Sequence, residues 1–290
     1  MTLQVLSPAK VNLFLHVLRR RADGYHDLFS LMCRIGLYDE ILLNPTSATI
    51  ALQCTDSALP VDDGNLAVRA ARRFYEALGR SGGVEIHLTK RIPVAAGLGG
   101  GSSNAASVLL GLNYLHDAPL SLDRLIAIGR SLGADVPFFL FQSPALASGI
   151  GDQLEAFTGI PFQTALVVSP PFSVSTRMVY QSLNLRLTKR QKRPTRTHLK
   201  KAAFTPELHL YNDLEAVTLA LHPELGTIKD LLIDRGALGA LMSGSGPSVF
   251  GLFADPEAAR KATDALPGDR GWRFFCADLL TGPISLVRGM

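Results

Sequence analysis

Cysteine is scarce in this chain. Cys33, Cys54 and Cys276 are the only three in 290 residues, an odd number at wide spacing. That count fits neither a zinc knuckle nor a disulfide framework, and a reducing cytoplasm is the expected compartment. Also lacking is an uninterrupted apolar run near the roughly 20 residues that a membrane-spanning helix requires, so a soluble protein is expected. A secretory leader is not expected either. The stretch VNLFLHVL behind Lys10 is broken by Asn12 and His16, runs into Arg19, Arg20 and Arg21, and has no small-residue cleavage pattern. No internal period of repeat-protein length appears, which excludes a solenoid.

Acidic residues are absent from one stretch. RLTKRQKRPTRTHLKK, Arg186 to Lys201, holds eight of the 29 basic residues and no carboxylate, leaving 21 basic against 25 acidic residues elsewhere. The net charge of +4 is therefore local, and the body of the protein is not a polyanion binder. Such a run serves nucleic acid in some proteins, but this one has no interleaved aromatic residue and contains Pro194. A solvated loop is the expectation, with a phosphate-attracting flank second.

What is present alternates between strand and helix patterns. Leu3 to Leu6 and Val11 to Leu18 look like strands separated by SPAK, ADGYHDL is a turn-rich connection, and Asp39 to Asn44 and Ala48 to Cys54 look like further strands. Leu66, Ala70, Phe74 and Leu78 recur at helical spacing between a capping Asn65 and a terminating Gly79. VEIHLTK alternates as a half-buried strand, and Leu120 to Leu132 is an amphipathic helix ended by Gly133. Beyond residue 155 come a buried strand (TALVVS), a short helix (TRMVYQSL) and the basic run. The order is then helix (Pro223 to Ile233), strand (Leu238 to Ser243), Gly-Ser turn, strand (Ser248 to Phe253), helix (Pro256 to Leu266) and strand (Trp272 to Leu279). This order argues α+β, with two domains, 1–155 and 156–290.

The richest chemistry lies in PVAAGLGGGSSNAASVLLGL. A P-loop needs a lysine that this loop lacks, and a dinucleotide fingerprint needs a third glycine where Ser102 stands. The ingredients of an anion site are nevertheless there. Gly97, Gly99, Gly100 and Gly101 fall within five residues, and bare backbone can turn several N–H groups toward one ligand. Ser102, Ser103 and Asn104 follow where a helix begins, and a helix start offers unpaired donors and the positive end of its dipole. A plain strand-to-helix turn capped by Ser103 explains one or two glycines, not four with two hydroxyls. Phosphate is the better reading. A second Gly-Ser turn, LMSGSGPSVFGLF, is explained by a hairpin or by the other side of a nucleotide cradle.

Phosphoryl transfer also needs a group to orient the acceptor hydroxyl, with charge neutralisation. Asp135, in GADVPFFL, sits between a helix-ending glycine and an apolar run; it is either a turn aspartate bonded to nearby amides or a catalytic carboxylate. Lys10 interrupts an apolar strand and is either an edge lysine in water or a partner for that carboxylate.

Five blocks in this order, PAKVNLFL, RADGYHDLFSLM, PVAAGLGGGSSNAA, GADVPFF and MSGSGPSVFG, span nearly the whole chain and resemble the GHMP kinases. The resemblance implies a two-domain α+β fold, with an N-terminal domain like ribosomal protein S5 domain 2, a ferredoxin-like C-terminal domain, and the active site between them. It implies ATP-dependent phosphorylation of a small-molecule alcohol. Through its DGYH element, the resemblance implies a cytidine diphosphate-linked methylerythritol as that alcohol, phosphorylated at its 2-hydroxyl.

By the same resemblance Asp135 is the base and Lys10 its partner. Pro93, Val94, Ala95, Ala96, Gly97, Leu98, Gly99, Gly100, Gly101, Ser102 and Ser103 wrap the ATP phosphates, and Mg²⁺ accompanies the nucleotide. No metal ligand is identified beyond Ser103 as a candidate for magnesium or phosphate. The resemblance gives the cytosine to His26 by hydrogen bonding and to Tyr25 by stacking. Tyr180 stands on the opposite face near Thr176, and Asn12 lies near the acceptor. Asn65 either approaches adenine or only caps its helix. Ala95 and Ala96 stand where relatives often carry glycine, and negative φ is expected at both. Two alternatives remain from the sequence: a GHMP kinase for mevalonate or homoserine, and a nucleic-acid-binding protein using the 186–201 run.

Overall fold

The computed structural model describes residues 2–183 and 203–282 and the backbone of 287–289. The basic run 186–201 therefore lies outside the described residues.

Two long antiparallel strands, β1 (Leu3–Arg20) and β2 (His26–Thr46), form the spine of the fold. SPAK does not separate two strands. Pairing runs on through it, with a shift in register between Pro8 and Ala9. A bulge absorbs a proline that cannot donate to the ladder, and the strand stays continuous. β3 (Ile50–Cys54) runs parallel to β4 (Gly83–Thr89), which pairs antiparallel with the end of β2. Between them lies α1 (Leu66–Leu78), where Asn65 accepts from the Ala67 amide and Gly79 ends the helix. α2 (Gly100–Leu115) is buried along most of its length, and α3 (Leu122–Leu132) starts at a Ser121 cap. The short α4 (Val136–Phe141) starts at Asp135. These helices cover one face of the sheet, where Val5, Ile41, Leu43 and Ile86 meet Ala105, Val108, Leu109 and Leu112.

The strands β5 (Ala145–Gly149) and β6 (Gln153–Ala156) extend the sheet from β2. β7 (Thr164–Ser169) is buried at all of its positions, and α5 (Thr176–Ser182) follows it. After the undescribed segment come α6 (Pro206–His209), β8 (Tyr211–Asn212), α7 (Glu215–Leu221) and α8 (Glu224–Asp234). Next are β9 (Gly239–Met242), β10 (Val249–Phe253), α9 (Pro256–Asp264), β11 (Arg273–Leu280) and β12 (Val287–Gly289).

Two pairings were not apparent in the sequence. β11 pairs with β7 along Arg273 to Asp278 and then with β2 at Leu279 and Leu280, so one strand bridges both halves. β8 pairs in parallel with β1 and β12 antiparallel with it, returning the C-terminal half to the first strand. Among the described residues no helix is long and apolar enough to cross a membrane.

Candidate active site

A cavity of about 1320 Å³ opens where the glycine-rich segment, the β1–β2 spine, α5 and the second Gly-Ser turn meet. Pro93 to Gly97, Gly99, Gly100, Gly101 and Ser102 line it; Leu98 and Ser103 do not. Leu98 is buried in the core, and its carbonyl accepts from the Lys10 amide at 3.0 Å, which ties the loop to β1. Ser103 is fully buried and its hydroxyl accepts from Ser7 Oγ at 2.8 Å. The helix begins three residues before it, at Gly100, behind a left-handed Gly99. No side chain caps α2, so its first-turn amides at Gly100, Gly101 and Ser102 are left for a ligand or solvent.

Two glycines are required sterically. A β-carbon on Gly97, whose φ is +77°, would stand 2.0 Å from the Ser243 carbonyl oxygen. One on Gly99, φ +72°, would press on the Phe139 ring at 3.0 Å and on Lys10 Cγ at 3.1 Å. Ala96 keeps the expected negative φ, but Ala95 does not: its φ is +51°. An alanine tolerates the left-handed region at about 1 kcal/mol, and Ala95 is exposed. The second Gly-Ser turn closes on the first loop. Ser243 Oγ donates to the Gly97 carbonyl at 2.9 Å, the Ser248 amide donates to Ala96 O at 3.3 Å, and Gly244 and Ser245 line the cavity.

Lys10 and Asp135, distant in sequence, meet here. Lys10 Nζ lies 3.8 Å from Asp135 Oδ2 and donates to Asn12 Oδ1 at 2.5 Å. Asn12 is oriented in turn by Ser30, whose Oγ accepts from Asn12 Nδ2 at 2.9 Å and donates to the Phe14 carbonyl at 2.6 Å. Lys10 is 5% exposed at its side chain and Asp135 36%, so the ammonium is held inside while the carboxylate faces the cavity. Burial lowers the Lys10 pKa from its ordinary value, and the Asp135 charge partly restores it. The Asp135 side chain makes no capping hydrogen bond to α4. It is therefore not the turn aspartate that the sequence allowed.

Also on the cavity wall, the His26 ring stacks on Tyr180, with centroids 5.2 Å apart and planes at 29°. Burial, and secondarily the Asp135 charge, raise the Tyr180 phenol above its ordinary pKa. The loop, Lys10, Asp135, Tyr180 and His26 thus follow one another along one cavity. Tyr25 stands exposed on its lining, and Thr176 and Ser245 share a hydroxyl hydrogen bond of 2.8 Å. Asn65 lines the cavity, but its side chain is engaged as the α1 cap and donates to Pro60 O at 2.9 Å.

Burial first, and then the Arg20 charge, lower the His26 pKa. A histidine titration followed by NMR is expected to place His26 below the ordinary value of about 6.5. Replacing Arg20 with Gln should move that midpoint up, because one cation no longer opposes protonation.

Sequence reasoning missed Ser30 and Ser245. The Gly-Ser turn flagged the region of Ser245 and the family resemblance named Thr176, but nothing in the sequence joined the two; Ser30 has no local signal beyond being a polar residue in an apolar strand.

The GHMP kinases N terminal domain matches residues 65–143, and the GHMP kinases C terminal domain matches residues 199–270. A 4-diphosphocytidyl-2-C-methyl-D-erythritol kinase of Syntrophus aciditrophicus is 49% identical over 278 residues, covering 94% of this chain and 98% of that protein. The chain belongs to the GHMP kinases. The Geobacter sulfurreducens protein of the same name is 47% identical to this GHMP kinase over 271 residues, with 93% and 96% of the two chains covered. A crystal structure of 4-(cytidine 5'-diphospho)-2C-methyl-D-erythritol kinase superposes with a TM-score of 0.80 at 39% identity, covering 95% and 98% of the two chains. The homoserine kinase from Cytophaga hutchinsonii, at a TM-score of 0.71 and 21% identity over 95% and 94%, shares the fold. The mixed α+β architecture is that of the GHMP family.

Proposed function

We propose that the protein transfers the γ-phosphoryl group of ATP to the 2-hydroxyl of 4-diphosphocytidyl-2-C-methyl-D-erythritol, in the non-mevalonate route of isoprenoid biosynthesis. One observation carries this reading: the Lys10–Asp135 pair stands in a single cavity between the glycine-rich helix start and the His26–Tyr180 stack. The nearly full-length likeness to kinases of that name supports it.

In this reading the amides of Gly100, Gly101 and Ser102 and the bare backbone from Gly97 receive the phosphates. The acceptor hydroxyl lies against Asp135, whose carboxylate takes the proton as the oxygen attacks phosphorus. Lys10, fixed by Asn12, holds that carboxylate and sets positive charge beside the transferring group. His26 and Tyr180, with Tyr25 at the surface and Thr176 beside Ser245, take the cytosine, so the base anchors the alcohol at a distance from the reaction.

No group of three or more His, Cys, Asp or Glu side chains gathers among the described residues. The Asp135 carboxylate and Ser102, both on the cavity wall, fit a magnesium ion bound mainly through phosphate oxygens. When bound, Mg²⁺ supplies neutralisation of the charge on those phosphates. The two-domain division near residue 155 and a cytoplasmic location belong to the same proposal.

Purified protein should phosphorylate the diphosphocytidyl alcohol with Mg-ATP, and mevalonate and homoserine assayed in parallel should not turn over comparably. In His26→Ala the KM for the alcohol should rise about tenfold or more while that for ATP stays within about twofold, as expected when a stacking and hydrogen-bonding platform is lost. Equal changes in both constants would argue against a base pocket at His26.

A further inference from the structure

The chain is held where it enters the glycine loop and where it leaves it, and both holds converge on one carboxylate. Asp39 sits on β2 opposite Ser7 of β1 and is fully buried. Its Oδ1 accepts from the backbone amides of Arg91 at 2.7 Å and Ile92 at 2.9 Å, just after β4. Its Oδ2 accepts from the Lys90 ammonium and from Asn104 Nδ2, the latter at 2.9 Å, on the far side of the loop in the first turns of α2. Asn104 also accepts from Lys90 Nζ at 3.1 Å and donates to Ser7 Oγ at 2.9 Å, and Ser7 donates to Ser103. Four donors offset the cost of burying this anion.

Asp39 itself does not line the cavity, although Lys90 and Asn104 of its network do. The network nevertheless reaches the helix start, for a β-carbon on Gly100 would lie 3.3 Å from Lys90 Nζ. Between the two holds the middle of the loop is tied by the bonds to Leu98 O, Gly97 O and Ala96 O.

We propose that Asp39 is a positioning residue for nucleotide binding. By fixing Arg91 and Ile92 against Asn104 it sets the distance between the loop backbone and the first-turn amides of α2, so that both meet one triphosphate. The inference rests on the reading that this loop holds ATP, and goes beyond it in naming what shapes the loop.

Asp39→Asn keeps the size of the side chain and turns one acceptor into a donor that faces Lys90 and Asn104, or the two loop amides. The dissociation constant for a non-hydrolysable ATP analogue, measured by calorimetry, should rise about tenfold. That is the scale of a sub-ångström misplacement of binding groups. The KM for the alcohol at saturating ATP should stay within about twofold. Asn104→Ala, which releases Asp39 from the helix and also removes the Asn104 bonds to Lys90 and Ser7, should shift the analogue affinity in the same direction; it carries the test if Asp39→Asn does not fold.

A lowered melting temperature with unchanged analogue affinity would overturn the proposal by making Asp39 merely structural. Equal loosening of both ligands would overturn it too. If the wild-type protein binds the analogue but does not phosphorylate the cytidyl alcohol, the substrate reading fails while the Asp39 comparison still stands. If the wild type does not bind the analogue at all, the nucleotide reading and this proposal fall together.

Discussion

Asp135→Asn should lower kcat by about 10²-fold or more, with little change in the affinity for either ligand. The expectation follows from where the carboxylate is. It is uncapped, about one-third exposed to the cavity, and 3.8 Å from a lysine buried behind it. The amide that replaces it has nearly the same shape, so the acceptor alcohol can still dock, but it cannot receive a proton and no longer compensates the Lys10 ammonium. Removing the carboxylate also removes the negative charge that supports the Lys10 ammonium against burial, so two functions fail together. Steady-state kinetics with both substrates varied would decide the matter. Near-normal turnover would mean that phosphate positioning alone carries the reaction, since a loose transition state asks little of a base.

Gly97→Ala should be the most damaging change in the loop. Its methyl group would fall 2.0 Å from a backbone carbonyl, and its φ of +77° is one that alanine adopts only with strain. Neither partner can give way alone, because Ser243 and Gly97 are already joined by the Ser243 Oγ bond. The two Gly-Ser turns must separate. A stability loss on the order of 1–3 kcal/mol is expected, with at least about tenfold weaker binding of an ATP analogue. Chemical denaturation and calorimetry read the two effects separately. Gly101→Ala is the control for stability: its φ is ordinary and the nearest atom to the added carbon is Leu66 Cδ1 at 3.8 Å. It should fold as stably as the parent or slightly better, since alanine favours a helix over glycine. Equal destabilisation in the two variants would remove the steric argument.

Much of the framework was legible because its signals are local. The Asn65-to-Gly79 helix, the VEIHLTK strand and the C-terminal alternation of helices and strands are periodic patterns with caps, and they appear within two residues of their expected limits. Where local rules conflicted, the sequence misled. Pro8 suggested a break in the first strand, yet the ladder partner on β2 skips residues and keeps pairing. Ala95 suggested negative φ, yet it adopts the left-handed region. Ser103 looked like a cap or a phosphate contact, but the helix starts earlier and turns that hydroxyl toward Ser7.

The sequence by itself determined the family likeness, the glycine-rich helix start, and the identities of the two charged outliers, because each depends on residue type and short spacing. Only the tertiary structure decided that Lys10 and Asp135 share a cavity, that the second Gly-Ser turn locks onto Gly97, and that Asp39 holds both sides of the loop. Those contacts join residues from tens to well over a hundred positions apart, and sheet register and helix packing set their distances. Neither hydrophobic period nor turn composition carries that information, since both describe a chain only against its immediate neighbours.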